Sequence, residues 1–211
     1  MKVEIWSDFV CPFCYIGKRR FEQALKLFPE REQVEVHFRS FQLDPDVPPG
    51  SKQTVYEGLA LKYGTTIQQA RDMCERVAGQ AKEAGLTFHF DTAVSANTFH
   101  AHRLHHFAAK MGKEKELAER LLQAHFSDSI NIGDKARLLE LAEEVGLEKA
   151  AAEQVLAGDD YGAEVKSDIE QAAKYGIRGV PFFLFNEKYA VSGAQPSEAF
   201  LQALHKAAEE R

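Results

Sequence analysis

The chain has 211 residues, of which 45% are hydrophobic and 27% charged, and its net charge is −6. This length can bury a substantial core, and the composition is that of a globular protein rather than a disordered or fibrous one. Because 26 basic residues are scattered among 32 acidic ones, no nucleic-acid partner is predicted. No apolar run approaches the roughly 18 residues that span a bilayer, so no membrane partner is predicted.

The first predicted elements are a strand around Val3 and Ile5 and an amphipathic helix from Pro12 to Phe28. Residues 34–41 alternate with period two, which predicts a second strand. The proline-rich segment 44–50 then ends regular structure. The chain therefore begins with strand, helix and strand.

The middle of the chain, from about Thr54 to Tyr175, is rich in Ala, Leu, Glu, Gln and Lys at helical spacing. This pattern predicts a block of several helices. Asp134 is expected to cap the helix that runs to Val145, and Gly146 occupies the position where a glycine commonly ends a helix.

The last third of the chain returns to strands. Residues 180–185 and 189–193 predict a hairpin across a three-residue turn, and a final helix is expected from Pro196 to about Glu209. We therefore predict an α/β fold with a central four-stranded sheet and flanking helices, interrupted by an inserted all-helical domain. The predicted boundaries are residues 1–53 and 176–211 for the α/β domain and 54–175 for the insertion.

Cys11 and Cys14 lie at the predicted junction of the first strand and helix. Residues i and i+3 of a helix share a face, with Cβ atoms roughly 5–6 Å apart, so a reversible disulfide needs little rearrangement. The helix N-terminus favours a thiolate at Cys11, which we predict to be the attacking sulfur, with Cys14 as the resolving thiol. Pro12 suits the first helical turn, and Phe13 is predicted to be an exposed contact for substrate.

Two other interpretations of the cysteine pair are a zinc half-site and a pair of incidental buried thiols. Zinc usually takes four ligands, and the remaining cysteine, Cys74, lies far along the chain without a neighbouring cysteine. A lone cysteine on an Ala-rich helix is typically a small buried hydrophobe. Pro12 and the strand-to-helix location favour the redox interpretation.

A histidine cluster in the helical block raises the question of a metal site. Because the segment lacks the acidic residue of a zinc-protease signature, we predict no metal. We expect its histidines to face solvent or a domain interface, where one could lie near Cys11. The cluster consists of His100, His102, His105 and His106.

The stretch from Trp6 to Cys14 with Gly17, and the stretch from Gly179 to Phe183, resemble the DsbA-like thioredoxin superfamily, particularly its FrnE-type branch. The resemblance also covers segments 40–45, 97–104 and 134–147 and so spans nearly the whole chain. It implies a thioredoxin fold interrupted by a helical domain. It further implies a cis Pro181 facing the Cys11 sulfur, and a Val180 backbone free to pair with an extended substrate.

We therefore predict a thiol-disulfide oxidoreductase, acting as a reductase or isomerase on protein or small-molecule thiols and disulfides and recycled by a redox partner. No bound cofactor is expected beyond the redox-active Cys11–Cys14 disulfide. The FrnE-type branch is related to 2-hydroxychromene-2-carboxylate isomerases and kappa-class glutathione transferases, so a glutathione-dependent isomerase or transferase is the first alternative. Those relatives typically carry Ser at the catalytic position, whereas this chain has Cys11 and Cys14. A redox-linked chaperone is the second alternative.

The start of the chain bears on the compartment. After Lys2 the sequence enters the predicted strand directly, without the apolar stretch of a secretory signal. We therefore expect a cytoplasmic protein, in which thiols are kept reduced.

Overall fold

The computed structural model describes residues 1–209, whose four strands form a single mixed sheet. Strand order is β2-β1-β3-β4, with β1 parallel to β2 and antiparallel to β3, and β3 antiparallel to β4. In register, Val3 lies opposite Val36 on one side and Phe185 on the other. The strands are β1 (Lys2–Ser7), β2 (Glu35–Ser40), β3 (Phe182–Phe185) and β4 (Tyr189–Ser192).

Helices make up most of the remaining described chain, and seven of them lie between β2 and β3. The first helix follows β1, and the last follows β4. Their bounds are α1 (Pro12–Leu27), α2 (Val55–Tyr63), α3 (Ile67–Glu83), α4 (Phe99–Lys110), α5 (Glu114–Phe126), α6 (Lys135–Glu144), α7 (Lys149–Ala157), α8 (Gly162–Lys174) and α9 (Ser197–Glu209). Among residues 1–209, no helix combines the length and apolarity that crossing a membrane requires.

The predicted element order is confirmed, and so are several local signals. Asp134 caps α6 by accepting hydrogen bonds from two backbone amides of its first turn. Gly146 follows that helix with φ +83°, a left-handed conformation that favours glycine. The predicted hairpin is present, although β3 begins only at Phe182.

The segment from 84 to 98 departs from the predicted helical block. It contains no helix, and Val94 instead forms an isolated bridge with Thr54. Phe88 and Phe90 of this segment are buried against Phe126, whose ring lies 4.6 Å from that of Phe88. Tertiary burial of these aromatic rings therefore determines this part of the chain.

Two large apolar clusters fill the interior. One lies between the sheet, α1 and α9, and the other fills the space among α2 to α7. Phe9, Tyr15 and Ile16 from the start of the chain belong to the second cluster, so the helices and the first α/β unit share a core. The predicted division at 53/54 and 175/176 stays a prediction, and residues 210 and 211 of the predicted α/β domain lie outside the described residues.

Candidate active site

Cys11 is the N-cap of α1, with extended backbone angles of φ −90° and ψ 111°. Its amide donates to the Asp8 carbonyl at 3.1 Å, and the Cys14 amide donates to the Cys11 carbonyl at 3.0 Å. Pro12 occupies the start of the helix, where its missing N–H leaves no helical bond unmade. The predicted strand-to-helix junction therefore carries the cysteine pair, and both residues are free thiols.

The two thiols differ in what surrounds them. Cys14 is 2% exposed, and its sulfur accepts a hydrogen bond from the Asp8 amide at 3.5 Å. Burial raises the pKa of Cys14 well above its ordinary value, and the hydrogen bond and charge of Cys11 raise it further, against the hydrogen bonds from Ser7 and Asp8. Cys14 therefore retains its proton near neutral pH.

The Val180–Pro181 peptide bond is cis, as the resemblance implied. The Sγ of Cys11 lies 3.5 Å from the Val180 carbonyl oxygen, although 169 positions separate the two residues in sequence. Gly17 of α1 permits this approach, because a Cβ at that position would lie 3.0 Å from Cγ of Pro181. The fold thus brings together the two ends of the chain that the sequence analysis selected.

A cleft of about 410 Å³ opens beside the proline. Its lining comes from the loop that leads from α8 to β3 and from the end of β4. Phe13 is 38% exposed, which confirms the prediction that it is an exposed side chain, whereas Trp6 and Phe9 are core residues. The cleft is lined by Gly176, Ile177, Arg178, Gly179, Val180, Pro181, Phe182, Ser192 and Gly193.

Asp8 is a buried acid at the site that the sequence analysis missed. Its carboxylate accepts from the Leu43 amide at 2.8 Å and lies 3.3 Å from Nε2 of His102. Phe9 packs on the same imidazole, with ring centroids 4.7 Å apart. A polar residue next to a predicted redox pair was the available signal, but its partner is 94 positions away.

The histidines of α4 lie at interfaces between elements. His106 contacts Asp168 and the Ser40 hydroxyl, both at 3.1 Å. His105 is buried, and this burial, together with the neighbouring His102 and His106, lowers its pKa to about 3. The described residues contain no group of three His, Cys, Asp or Glu side chains able to hold a metal ion. Each of these histidines thus has a neighbouring partner that accounts for its position.

Cys74 belongs to the helical interior, as expected of a lone cysteine. It is 3% exposed, and burial raises its pKa to about 11, with the charge of Asp91 adding to the shift. A thiol with this pKa remains protonated near neutrality and is a weak nucleophile. It therefore offers a control for the reactivity of the site cysteines.

A second cavity, of about 320 Å³, lies where the loop after β2 meets the start of α4. The Nε2 of Gln42 is buried there without a hydrogen-bond partner among the described residues. Asn97 supports the loop by donating to the carbonyls of Pro45 and Val47. The lining residues are Gln42, Pro45, Pro49, Asn97, Phe99, His100 and Gly133.

Helix α1 is joined to α5 by a charged network one turn beyond the cysteines. Glu119 accepts from the Tyr15 hydroxyl at 2.7 Å, from Lys18 at 2.5 Å and from Arg19 at 2.6 Å. Although burial opposes it, Lys18 and the other donors hold the pKa of Glu119 below its ordinary value. This network fixes the orientation of α1 against the helices.

The family model described as DSBA-like thioredoxin domain matches residues 2–205. The chain belongs to this family. It is also 30% identical over 203 residues to the uncharacterized protein YwbO of Bacillus subtilis (strain 168), covering 96% of this chain and 94% of that protein. The probable DsbA oxidoreductase SCO1869 from Streptomyces coelicolor is 43% identical with a TM-score of 0.95, covering 100% of this chain and 91% of that one.

More distant structures share the fold. A 2-hydroxychromene-2-carboxylate isomerase has a TM-score of 0.75 at 12% identity, covering 100% of this chain and 97% of the isomerase. The cytosolic disulfide reductase DsbM from Pseudomonas aeruginosa, in its structure with GSH, has a TM-score of 0.69 at 19% identity, covering 99% and 100%. The family and the predicted thioredoxin fold are therefore confirmed, and the isomerase shares that fold.

Proposed function

We propose that this member of the DsbA-like family is a thiol-disulfide oxidoreductase that exchanges disulfides through Cys11 and Cys14. The observation that carries the proposal is the 3.5 Å approach of Cys11 Sγ to the Val180 carbonyl, with the buried Cys14 thiol three residues along the same helix. This geometry leaves a nucleophilic sulfur next to backbone that an extended substrate can pair with.

In the first step the Cys11 thiolate attacks one sulfur of a substrate disulfide. A mixed disulfide forms between Cys11 and that sulfur, and the other substrate sulfur leaves as a thiolate, which takes a proton from solvent. Val180, Pro181 and Phe13 are proposed to contact the substrate during this step. The exposed ring of Phe13 supports this assignment.

In the second step Cys14 attacks the Cys11 sulfur, and its proton passes, directly or through solvent, to the departing substrate thiolate. The Cys11–Cys14 disulfide forms, and the second substrate thiol is released, so the substrate gains two electrons and the dithiol loses them. Ser7 and the Asp8 amide donate to the Cys14 sulfur and stabilise its developing negative charge. Two thiols of a cellular reductant, such as glutathione, return the pair to the dithiol.

We propose the reductive or isomerising direction and a cytoplasmic location. DsbM, which shares the fold, is a cytosolic disulfide reductase whose structure contains GSH. Cys74, the third thiol of the described chain, is free as well. In a reducing compartment, cellular thiols keep Cys11 and Cys14 in the dithiol form that the reductive direction requires.

Cysteine variants test the proposed chemistry. We expect Cys11→Ser to lower the rate of insulin disulfide reduction at least about 1000-fold, because no thiolate remains to attack. Cys14→Ala should accumulate mixed disulfides on Cys11, detected by intact mass. Cys74→Ala is the matched control and should retain wild-type turnover. Wild-type activity of Cys11→Ser, or absence of adducts with Cys14→Ala, would contradict the mechanism.

A glutathione-dependent isomerase or transferase is the second candidate. The 320 Å³ cavity, with the unpartnered amide nitrogen of Gln42, favours a small ligand with an acceptor group. If this candidate holds, Cys14→Ser will still turn over an electrophile or chromene-type substrate with saturable dependence on glutathione. Loss of all such turnover would remove it.

A further inference from the structure

Arg178 is the one charged residue among the described residues that line the cleft beside Pro181. Its side chain is exposed, and within residues 1–209 no hydrogen bond or ion pair engages its guanidinium. The other lining residues offer aliphatic, aromatic, hydroxyl or bare backbone groups. A substrate entering the cleft therefore meets a single, unpaired positive charge.

The rim of the cleft adds to this positive character. Arg20 of α1 donates to the carbonyl of Ala194, which follows the β4 end of the lining, at 2.6 Å. A cationic cleft thus occurs on a protein whose net charge is −6.

The position of Arg178 relative to the nucleophile defines which part of a substrate it can reach. The substrate cysteine must approach Cys11 Sγ, which lies 3.5 Å from the Val180 carbonyl. Arg178 precedes Val180 by two residues, and two residues of chain span at most about 7 Å. A side chain two or three residues from the substrate cysteine is therefore within reach of the guanidinium.

We propose that Arg178 makes the site selective for disulfides of acidic peptides, in which Asp or Glu lies within about three residues of the attacked cysteine. A guanidinium presents paired N–H donors that match both oxygens of a carboxylate. This selection rests on the proposed function and assigns a substrate class to the same site. Basic segments around a cysteine are disfavoured by repulsion from Arg178.

Three peptides that differ only in charge test the selection. Each carries one mixed disulfide with a chromogenic thiol and has Glu, Gln or Lys at the positions flanking the cysteine. For the wild type we expect kcat/KM to be about threefold to tenfold higher for the Glu peptide than for the Lys peptide at low ionic strength. The ratio should fall towards one as added salt screens the charges.

Variants at position 178 assign this preference to the guanidinium. Arg178→Gln should bring the ratio close to one, and Arg178→Glu should invert it. The rates of each variant with the Glu and Lys peptides are divided by its rate with the neutral Gln peptide, which separates the charge preference from changes in the dithiol chemistry. Lys174→Gln, which removes an exposed cation of α8 outside the cleft lining, is the matched control and should keep the wild-type ratio.

The outcomes separate this selection from the proposed function. Equal turnover of the Glu and Lys peptides by the wild type, or an unchanged ratio in Arg178→Gln, would overturn the selection alone. Failure of the wild type to turn over any of the three peptides would overturn both the disulfide-exchange function and the selection built on it.

Discussion

The two sides of helix α1 are built from different chemistry. Towards the sheet, Phe21 packs among aromatic rings, with centroids 5.5 Å from Phe183 and 5.8 Å from Phe200. Towards the helices, α1 contacts α5 through Glu119 and its three donors, and the loop before α1 places Asp8 against His102. Packing on the apolar side stabilises the helix independently of pH, whereas the contribution of the polar side depends on the ionisation of its charged groups. Cys11 and Cys14 lie at the N-terminal end of this helix.

The largest effect is expected on the apolar side. Phe21→Ala removes a fully packed ring, and we expect the free energy of unfolding to fall by about 3–5 kcal/mol. Urea denaturation followed by circular dichroism measures this loss. Phe13→Ala, on the exposed part of the same helix, should cost less than about 0.5 kcal/mol. Equal losses in the two variants would contradict the proposed asymmetry.

A smaller effect is expected on the polar side. Glu119→Gln leaves the buried Lys18 ammonium with only Glu22, and we expect a loss of about 1–3 kcal/mol near neutral pH. The low native pKa of Glu119 means that its contribution is present above its unfolded pKa and is lost as pH falls through the native value. The free energies of unfolding of the wild type and of Glu119→Gln should therefore converge as the pH falls.

A nearby glutamate on the same helix provides the control for that experiment. Glu116 of α5 pairs only with Lys113 among the described residues, at 3.5 Å, and both side chains are well exposed. Glu116→Gln should change stability by no more than about 0.5 kcal/mol. If it matched Glu119→Gln, the loss would reflect α5 itself rather than its contact with α1.

The smallest effect concerns pH and the buried His125. Burial lowers the pKa of His125 to about 4, although the charge of Asp8 opposes the shift. Below about pH 6.5 the unfolded chain takes up a proton that native His125 does not, so stability falls as pH drops towards 4. Between about pH 7 and about pH 5, the free energy of unfolding of His125→Gln should fall by about 1–2 kcal/mol less than that of the wild type.

An exposed histidine is the reference for the His125 titration. His205 lies on the exposed part of α9, and His205→Gln controls for the general effect of replacing an imidazole with an amide. The free energy of unfolding at each pH, obtained from urea titrations, gives the comparison directly. Parallel curves for wild type and His125→Gln would show that this imidazole is protonated equally in both states.

Local physical signals in the sequence predict several features of the structure correctly. The start of α1 at Pro12 and the cap at Asp134 follow from the preferences of single residues for particular backbone conformations. The assignment of Cys11 as attacker and Cys14 as resolver rests on their places relative to the same helix end and stays a prediction.

Other parts of the site depend on contacts between residues far apart in the chain. The pairing of Asp8 with His102 and of Lys18 with Glu119 joins positions about a hundred residues apart. No period or spacing in the sequence encodes such pairs, because they arise only when the helices pack onto α1. The segment containing Phe88 was predicted as part of a helical block for the same reason, since burial rather than propensity determines its path.

Gly17, which has no side chain, determines how closely α1 approaches Pro181. A Cβ atom at this position would lie 3.0 Å from Cγ of Pro181, which lines the cleft, and 3.5 Å from Ala194, which follows the lining residue Gly193. The absence of a side chain at Gly17 therefore allows α1 to pack closely enough on Pro181 for Cys11 to approach the Val180 carbonyl. A larger side chain at position 17 would push Pro181 away from α1, so the distance from Cys11 to the Val180 carbonyl and the position of one cleft wall would change together.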